Sequence, residues 1–348
     1  MNGDDFRTKR KIQQLGSSTL AMTLPAQWVR EQNLAKGRQL VVQHDESDGS
    51  LLVTPDDMHK AGTEMTIDAS SHSPASIRRA VLGQYVLGRQ FVHIESDGPL
   101  EPAVHETITE IERQLLGFGI VNESTDSAIV RCSVDPADFE LPTLMKQLWQ
   151  TESVMRTETV EALLTDELDA ARRALRRQDQ VTKLFYLLLR IVFATYRDPR
   201  LNRTVGFETG FPLIGYRSVA QDVKLMARAN RTVASLVLES DGFDLDGEMR
   251  AHLDEVTEAL DRFARATQQA VTAPTIDVAA DGDRLVDTLD AAIADTQERI
   301  ETTRPAPLLS LQRVLTNFEK SGVHVADSLD VATRFAYRSD MTASTEET

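Results

Sequence analysis

Cations set beside a hydroxyl-rich turn can read a phosphate backbone, and Lys9, Arg10 and Lys11 followed by Ser17, Ser18 and Thr19 form such a grouping. The cations neutralise phosphates, while the hydroxyls donate short, directional hydrogen bonds to phosphate or base edges. Arg30, farther along, is a further candidate, with pairing to Glu31 as its plainer explanation. A run such as Arg7, Lys9, Arg10, Lys11 also fits a solvated tail, so the charge balance of the wider region matters. Residues 1–44 hold seven Lys or Arg against three Asp or Glu, a net +4. The whole chain is −16, so the other 304 residues carry −20. That asymmetry points to two tasks in one polypeptide, one of them to meet a polyanion.

The elements that must position these residues are short. Residues 11–15 and 19–24 read as two strands joined at Gly16-Ser17-Ser18, with Leu20, Met22 and Leu24 alternating onto one face. Pro25 fits the first position of a helix reaching Asn33, Lys36-Gly37 supplies a turn, and residues 39–44 and 51–54 read as strands around a polar loop at 45–49. So few apolar residues cannot close a core alone, and a second copy is expected to complete it.

Residues 63–134 change character and read as a small α/β spacer. Strand-like runs at 64–67, 90–95, 121–123 and 128–131 alternate with two helices. The first helix has Ser73 as N-cap, Pro74 in its first turn and Gly88 at its end; the second puts Val104, Ile108, Ile111 and Leu115 on one face. Gly117-Phe118-Gly119 follows a helix, whereas a phosphate-cradling glycine loop must open one, so no nucleotide fingerprint is read there.

From Pro136 onward strand signals fade. Helical patterns over 141–174, 177–197 and 215–240 form one triplet, and 244–272, 281–302 and 306–337 a second, which predicts two tandem three-helix bundles at 136–240 and 244–338, with a flexible polar tail over 339–348. The stretch nearest to a membrane span, 181–196, contains Lys183 and Arg190 and is read as a bundle helix, so no membrane insertion is expected. With a polar N-terminus, a cytoplasmic protein is expected. Cys132 is the single cysteine and lies in an alternating run, where a small buried apolar residue is the expectation.

Catalytic chemistry has no foothold. The seven histidines at 44, 59, 72, 93, 105, 252 and 324 lack ligand spacing, and no nucleophile elbow or zinc-binding His pair occurs, so neither enzyme, cofactor nor metal is expected. The basic residues are 30 Arg and 8 Lys, the acids include 30 Asp, and the pI is near 4.9. This resembles proteins of salt-accumulating archaea, in which surface carboxylate serves solubility.

The succession Arg10-Lys11-Ile12-Gln13, Gly16-Ser17-Ser18, Thr23-Leu24-Pro25, Trp28-Val29 and Leu34-Ala35-Lys36-Gly37 resembles the AbrB/MazE/SpoVT family of swapped-hairpin β-barrels. The resemblance implies an intertwined homodimer over residues 7–56 that binds DNA through its basic strands and loops. The remainder resembles PhoU, the phosphate-uptake regulator family of tandem three-helix bundles, through Ala170-Ala171-Arg172, Gln178-Asp179-Gln180-Val181 and Tyr216-Arg217-Ser218-Val219-Ala220-Gln221-Asp222. Where that family carries metal-binding acids, this chain has Thr182, Lys224, Arg228 and Val323, with Leu225 in place of the family's Arg, Glu319-Lys320 kept and His324 adjacent. Cations in place of carboxylates repel a metal. Asp179, Asp222, Asp283, Asp287 and Glu319 are the residual candidates.

The fold expected is thus a multidomain α+β chain: an AbrB-like barrel, an α/β spacer and a mostly α, PhoU-like body. The function expected is DNA-binding transcriptional regulation of phosphate homeostasis by a homodimer. Two rivals stay open. One is a PhoU-type adaptor that binds a phosphate transporter or sensor protein without touching DNA; the other is an antitoxin, which predicts a short adjacent toxin gene and a disordered C-terminal peptide.

Overall fold

A computed structural model describes residues 9–16, 19–44, 51–55, 64–198, 201–202, 204–206, 211–275, 281–305 and 307–346. The chain divides into two compact units, Met1–Ala61 and Gly62–Thr348.

In the first unit, β1 (Gln13–Gln14) pairs antiparallel with β2 (Leu20–Ala21), α1 spans Ala26–Glu31, and β3 (Leu40–His44) pairs antiparallel with β4 (Leu51–Pro55). Two separate two-stranded sheets result, and no barrel closes within one chain among the described residues. The first hairpin is shorter than its apolar alternation predicts. Among the described residues its ladder is limited to Gln13–Gln14 against Leu20–Ala21. Gly16 and Gly37 hold positive φ, +91° and +92°, where the chain reverses.

The second unit opens with a four-stranded sheet of order β5-β6-β8-β7, formed by β5 (Glu64–Asp68), β6 (Phe91–Glu95), β7 (Phe118–Glu123) and β8 (Ser127–Cys132). β5 and β6 are parallel, as the intervening helix α2 (Pro74–Val86) allows, and the other pairs are antiparallel. Val92, Ile94, Ala128, Val130 and Cys132 alternate onto the face covered by Ile77, Val81 and Tyr85 of α2 and by Val104, Ile108 and Ile111 of α3 (Pro102–Gln114). Ser73 caps α2 through the Ser76 N–H, as its position before Pro74 predicts.

Six long helices follow: α4 (Leu141–Thr165), α5 (Leu168–Arg197), α6 (Phe211–Glu239), α7 (Gly247–Thr272), α8 (Gly282–Thr303) and α9 (Leu308–Glu346). α4, α5 and α6 pack on one another, as do α7, α8 and α9, and α6 lies along α9 so that the two groups share one continuous core. The pattern that predicts a single helix over 141–174 is interrupted at Asp166, which takes a left-handed conformation (φ 56°). Its carboxylate accepts the Phe243 N–H at 2.7 Å, tying the α4 end to the α6–α7 turn. Aspartate tolerates this backbone and supplies its own acceptor, which offsets the local cost.

α9 continues through Glu346, over residues 339–346 where the sequence leads to a flexible tail. Neither glycine nor proline follows Arg338 to stop the helix. Among the described residues no helix is long and apolar enough to cross a membrane.

Candidate nucleic-acid interface and a cationic groove

Three of the headpiece's cations lie just before the first hairpin. Lys9, Arg10 and Lys11 are exposed on the extended segment leading into β1, and no described carboxylate pairs with them. The hairpin register sets Gln13 opposite Ala21 and Gln14 opposite Leu20, and Leu15 N–H donates to the Thr19 carbonyl at 2.8 Å. Thr19 is therefore exposed at the turn; Ser17 and Ser18 lie outside the described residues. Arg30 is exposed to solvent in the last turn of α1, and Glu31 accepts a hydrogen bond from Gln27 at 2.9 Å.

Apolar side chains of the same unit face outward. Ile12, Leu15, Leu20, Met22, Val42 and Leu51 are each more than half exposed, Ile12 at 67 % and Leu20 at 66 %. No described hydrophobic side chain of this unit joins a buried core cluster. Large apolar side chains exposed in this number are what an interaction site presents.

Residues 13–60 match the family model of MazE, an antidote-toxin recognition protein described as a bacterial antitoxin. The headpiece is a MazE/AbrB-like domain. The match spans this domain alone, and a comparison with curated proteins gives no match for the chain. Within the MazE-like headpiece, the matched span begins two residues after Lys11, so the basic segment leads directly into it.

The helical body holds a second arrangement that linear reasoning passes over. α6 and α9 run antiparallel: Ser328 Oγ donates to Asp222 Oδ2 at 3.2 Å, while at their other end a Cβ on Gly215 would meet the Phe335 ring. This brings His324 Nδ1 within 3.7 Å of Asp222 Oδ1 and 3.9 Å of Asp327 Oδ2. That nitrogen is buried and makes no hydrogen bond. Burial pushes the Asp222 carboxyl up to about 6, reinforced by Asp327 and opposed by the Ser328 hydroxyl and Arg217. Burial lowers the His324 imidazole against the pull of Asp327, favouring its neutral form.

Asp222, His324 and Asp327 are thus the residues that could hold a cation. Of the five residual metal candidates named from sequence, Asp222 alone joins such a cluster among the described residues, while Asp179, Asp283, Asp287 and Glu319 are exposed. The spacing of His324 and Asp327, i and i+3 on one helix, was the available signal. Asp222 was a residual candidate through the PhoU resemblance, but it lies 102 residues away and no spacing linked it to His324.

Beside His324 lies a groove of about 470 Å³ between α6 and α9. Arg228 and Thr232 line one wall and Arg313, Thr316, Asn317 and Lys320 the other. One turn before Arg228, the Lys224 ammonium sits 4.0 Å from the Phe185 ring centroid, and burial, with Arg228 adding, lowers it to about 8.

Proposed function

We propose that this protein is a homodimeric, DNA-binding transcription regulator of phosphate uptake, with the MazE-like headpiece as its DNA reader and the helical body as its sensor or relay. The observation that carries the first half is the headpiece itself: a family match over residues 13–60, exposed Lys9, Arg10 and Lys11 with no described carboxylate partner, and apolar side chains left uncovered in a single chain. A second copy would bury Ile12, Leu20, Met22 and Val42 and complete the swapped-hairpin barrel that one chain leaves open. Two-fold symmetry then calls for a pseudo-palindromic operator. The phosphate assignment rests on the PhoU resemblance of the body, whose helices group in threes.

Acidic composition favours a salt-rich cytoplasm, where the screening length falls to about 3 Å and counterion release contributes little. Recognition then leans on hydrogen bonds from Arg10, Thr19 and the turn between the first two strands. Chromatin mapping in phosphate-rich and phosphate-starved cells, together with operator binding by the wild type and Arg10→Ala at high salt, tests the reading. Sites beside phosphate-uptake genes and loss of binding in the variant are expected; unchanged affinity removes Arg10 from the interface. A dimer that shifts no genomic fragment but retains transporter components would favour the adaptor. The matched family's description favours an antitoxin role, which requires a toxin partner for this chain.

A further inference from the structure

We infer that the α6–α9 groove binds a small anion bearing more than one phosphoryl group, held by Arg228, Arg313 and Lys320. The anomaly is electrostatic. In a chain with 54 acidic and 38 basic residues, arginines of the helical body commonly find carboxylates: Arg156 meets Asp261, Arg177 meets Glu158, Arg265 meets Asp261 and Arg284 meets Asp281. Arg228, Arg313 and Lys320 converge on one groove, yet none pairs with a described carboxylate, and no described carboxylate lines it. Mutually repelling cations gathered without a counterion imply that the counterion comes from solution.

The geometry indicates its size. Arg313 and Lys320 stand seven residues apart on α9, about 10 Å along the helix axis, with Arg228 facing them from α6. A lone tetrahedral oxyanion engages part of this array, whereas a di- or triphosphate spans it. Arginine adds planar, bidentate recognition of phosphate oxygens, and lysine a point charge. The Thr232 and Thr316 hydroxyls now donate to the carbonyls of Arg228 and Gln312 and can turn toward a ligand. A nucleic-acid strand fits poorly, because exposed Glu319 and Asp327 on α9 flank the array and repel an extended polyanion.

This inference goes beyond the proposed DNA contact, and its failure would leave that contact standing, since the residues argued to hold the anion are on α6 and α9. The test is calorimetric titration of the full-length protein with pyrophosphate and with orthophosphate, for the wild type and for Arg228→Ala, Arg313→Ala and Lys320→Ala. These residues are exposed, so unchanged thermal unfolding is expected and confirms folding. Saturable pyrophosphate binding, about tenfold weaker in each variant and unaltered in Arg284→Ala, supports the site. Absence of saturation, equal affinity for orthophosphate, or displacement by duplex DNA overturns it. So does binding abolished by a chelator but untouched by Arg313→Ala, which would place the anion on a metal at Asp222, His324 and Asp327.

Discussion

Arg190, on α5, donates from Nη1 to the Tyr85 carbonyl at 2.6 Å and lays its guanidinium 5.1 Å from the centre of the Tyr85 ring. The same Nη1 reaches the Arg89 carbonyl at 3.2 Å, so the buried arginine closes the C-terminal end of α2, where helical carbonyls lack intrahelical partners. It joins the α/β sheet region to the long helices. Arg190→Ala should cost about 2–4 kcal/mol, because two carbonyls lose a charged donor, that of Tyr85 in a buried contact. Urea unfolding measures the loss, and a change within half a kcal/mol would show that the contact is dispensable.

Glu152 is fully buried, with Arg156 Nε 3.4 Å away and Asn230 donating at 2.9 Å, while Arg156 also meets Asp261 on α7 at 2.5 Å. Burial pushes the Glu152 carboxyl up, with Arg156 opposing it. Arg156→Ala should destabilise by about 3–5 kcal/mol by leaving a buried charge without its partner. The double change Glu152→Leu, Arg156→Met should cost less, since Asp261 keeps Arg265 at 2.6 Å. Equal losses in the two proteins would contradict this account.

Asp222 sets a pH dependence with a definite sign. Its folded pKa, about 6, lies above the ordinary 3.8, so below pH 3.8 the carboxyl is neutral in both states and carries no penalty. As pH rises through 6 the folded protein must hold a desolvated carboxylate, and stability falls across that window. Asp222→Asn keeps an acceptor for the Ser328 hydroxyl. Its Tm relative to wild type should therefore rise between pH 4 and pH 7; a constant offset would mean that Asp222 is not the group responsible.

On the headpiece, Leu20→Asp places a charge on the face that a second copy would cover. Light scattering should show conversion of a dimer to a monomer, with DNA binding lost at the same time. A Leu20→Asp protein that remains dimeric would locate the dimer contact elsewhere.

Gly215, in α6, faces the Phe335 ring so closely that an added Cβ would lie 2.4 Å from Cζ. Gly215→Ala should cost about 1–3 kcal/mol through overpacking, measurable by thermal unfolding. A neutral result would mean that α6 and α9 separate at little cost.

Much of this molecule was legible in the sequence. Alternation placed Val92, Ile94, Val130 and Cys132 on the inner face of a sheet, and a 3.6-residue repeat placed Val104, Ile108 and Ile111 inward on α3, because these periods are fixed by backbone geometry. The order of basic run, turn, Leu-Pro and Lys-Gly identified the headpiece, since each turn residue answers a local backbone demand. Tertiary structure alone decided the rest. Arg190 reads as one charge within an apolar helix until α2 ends against it, and His324 as an isolated imidazole until Asp222 arrives from another helix. Arg228 reads as a solvated cation until α9 brings Arg313 and Lys320 opposite. Local periodicity dictates which face of an element turns inward, but which charges meet depends on how distant elements pack, and no short-range spacing encodes that.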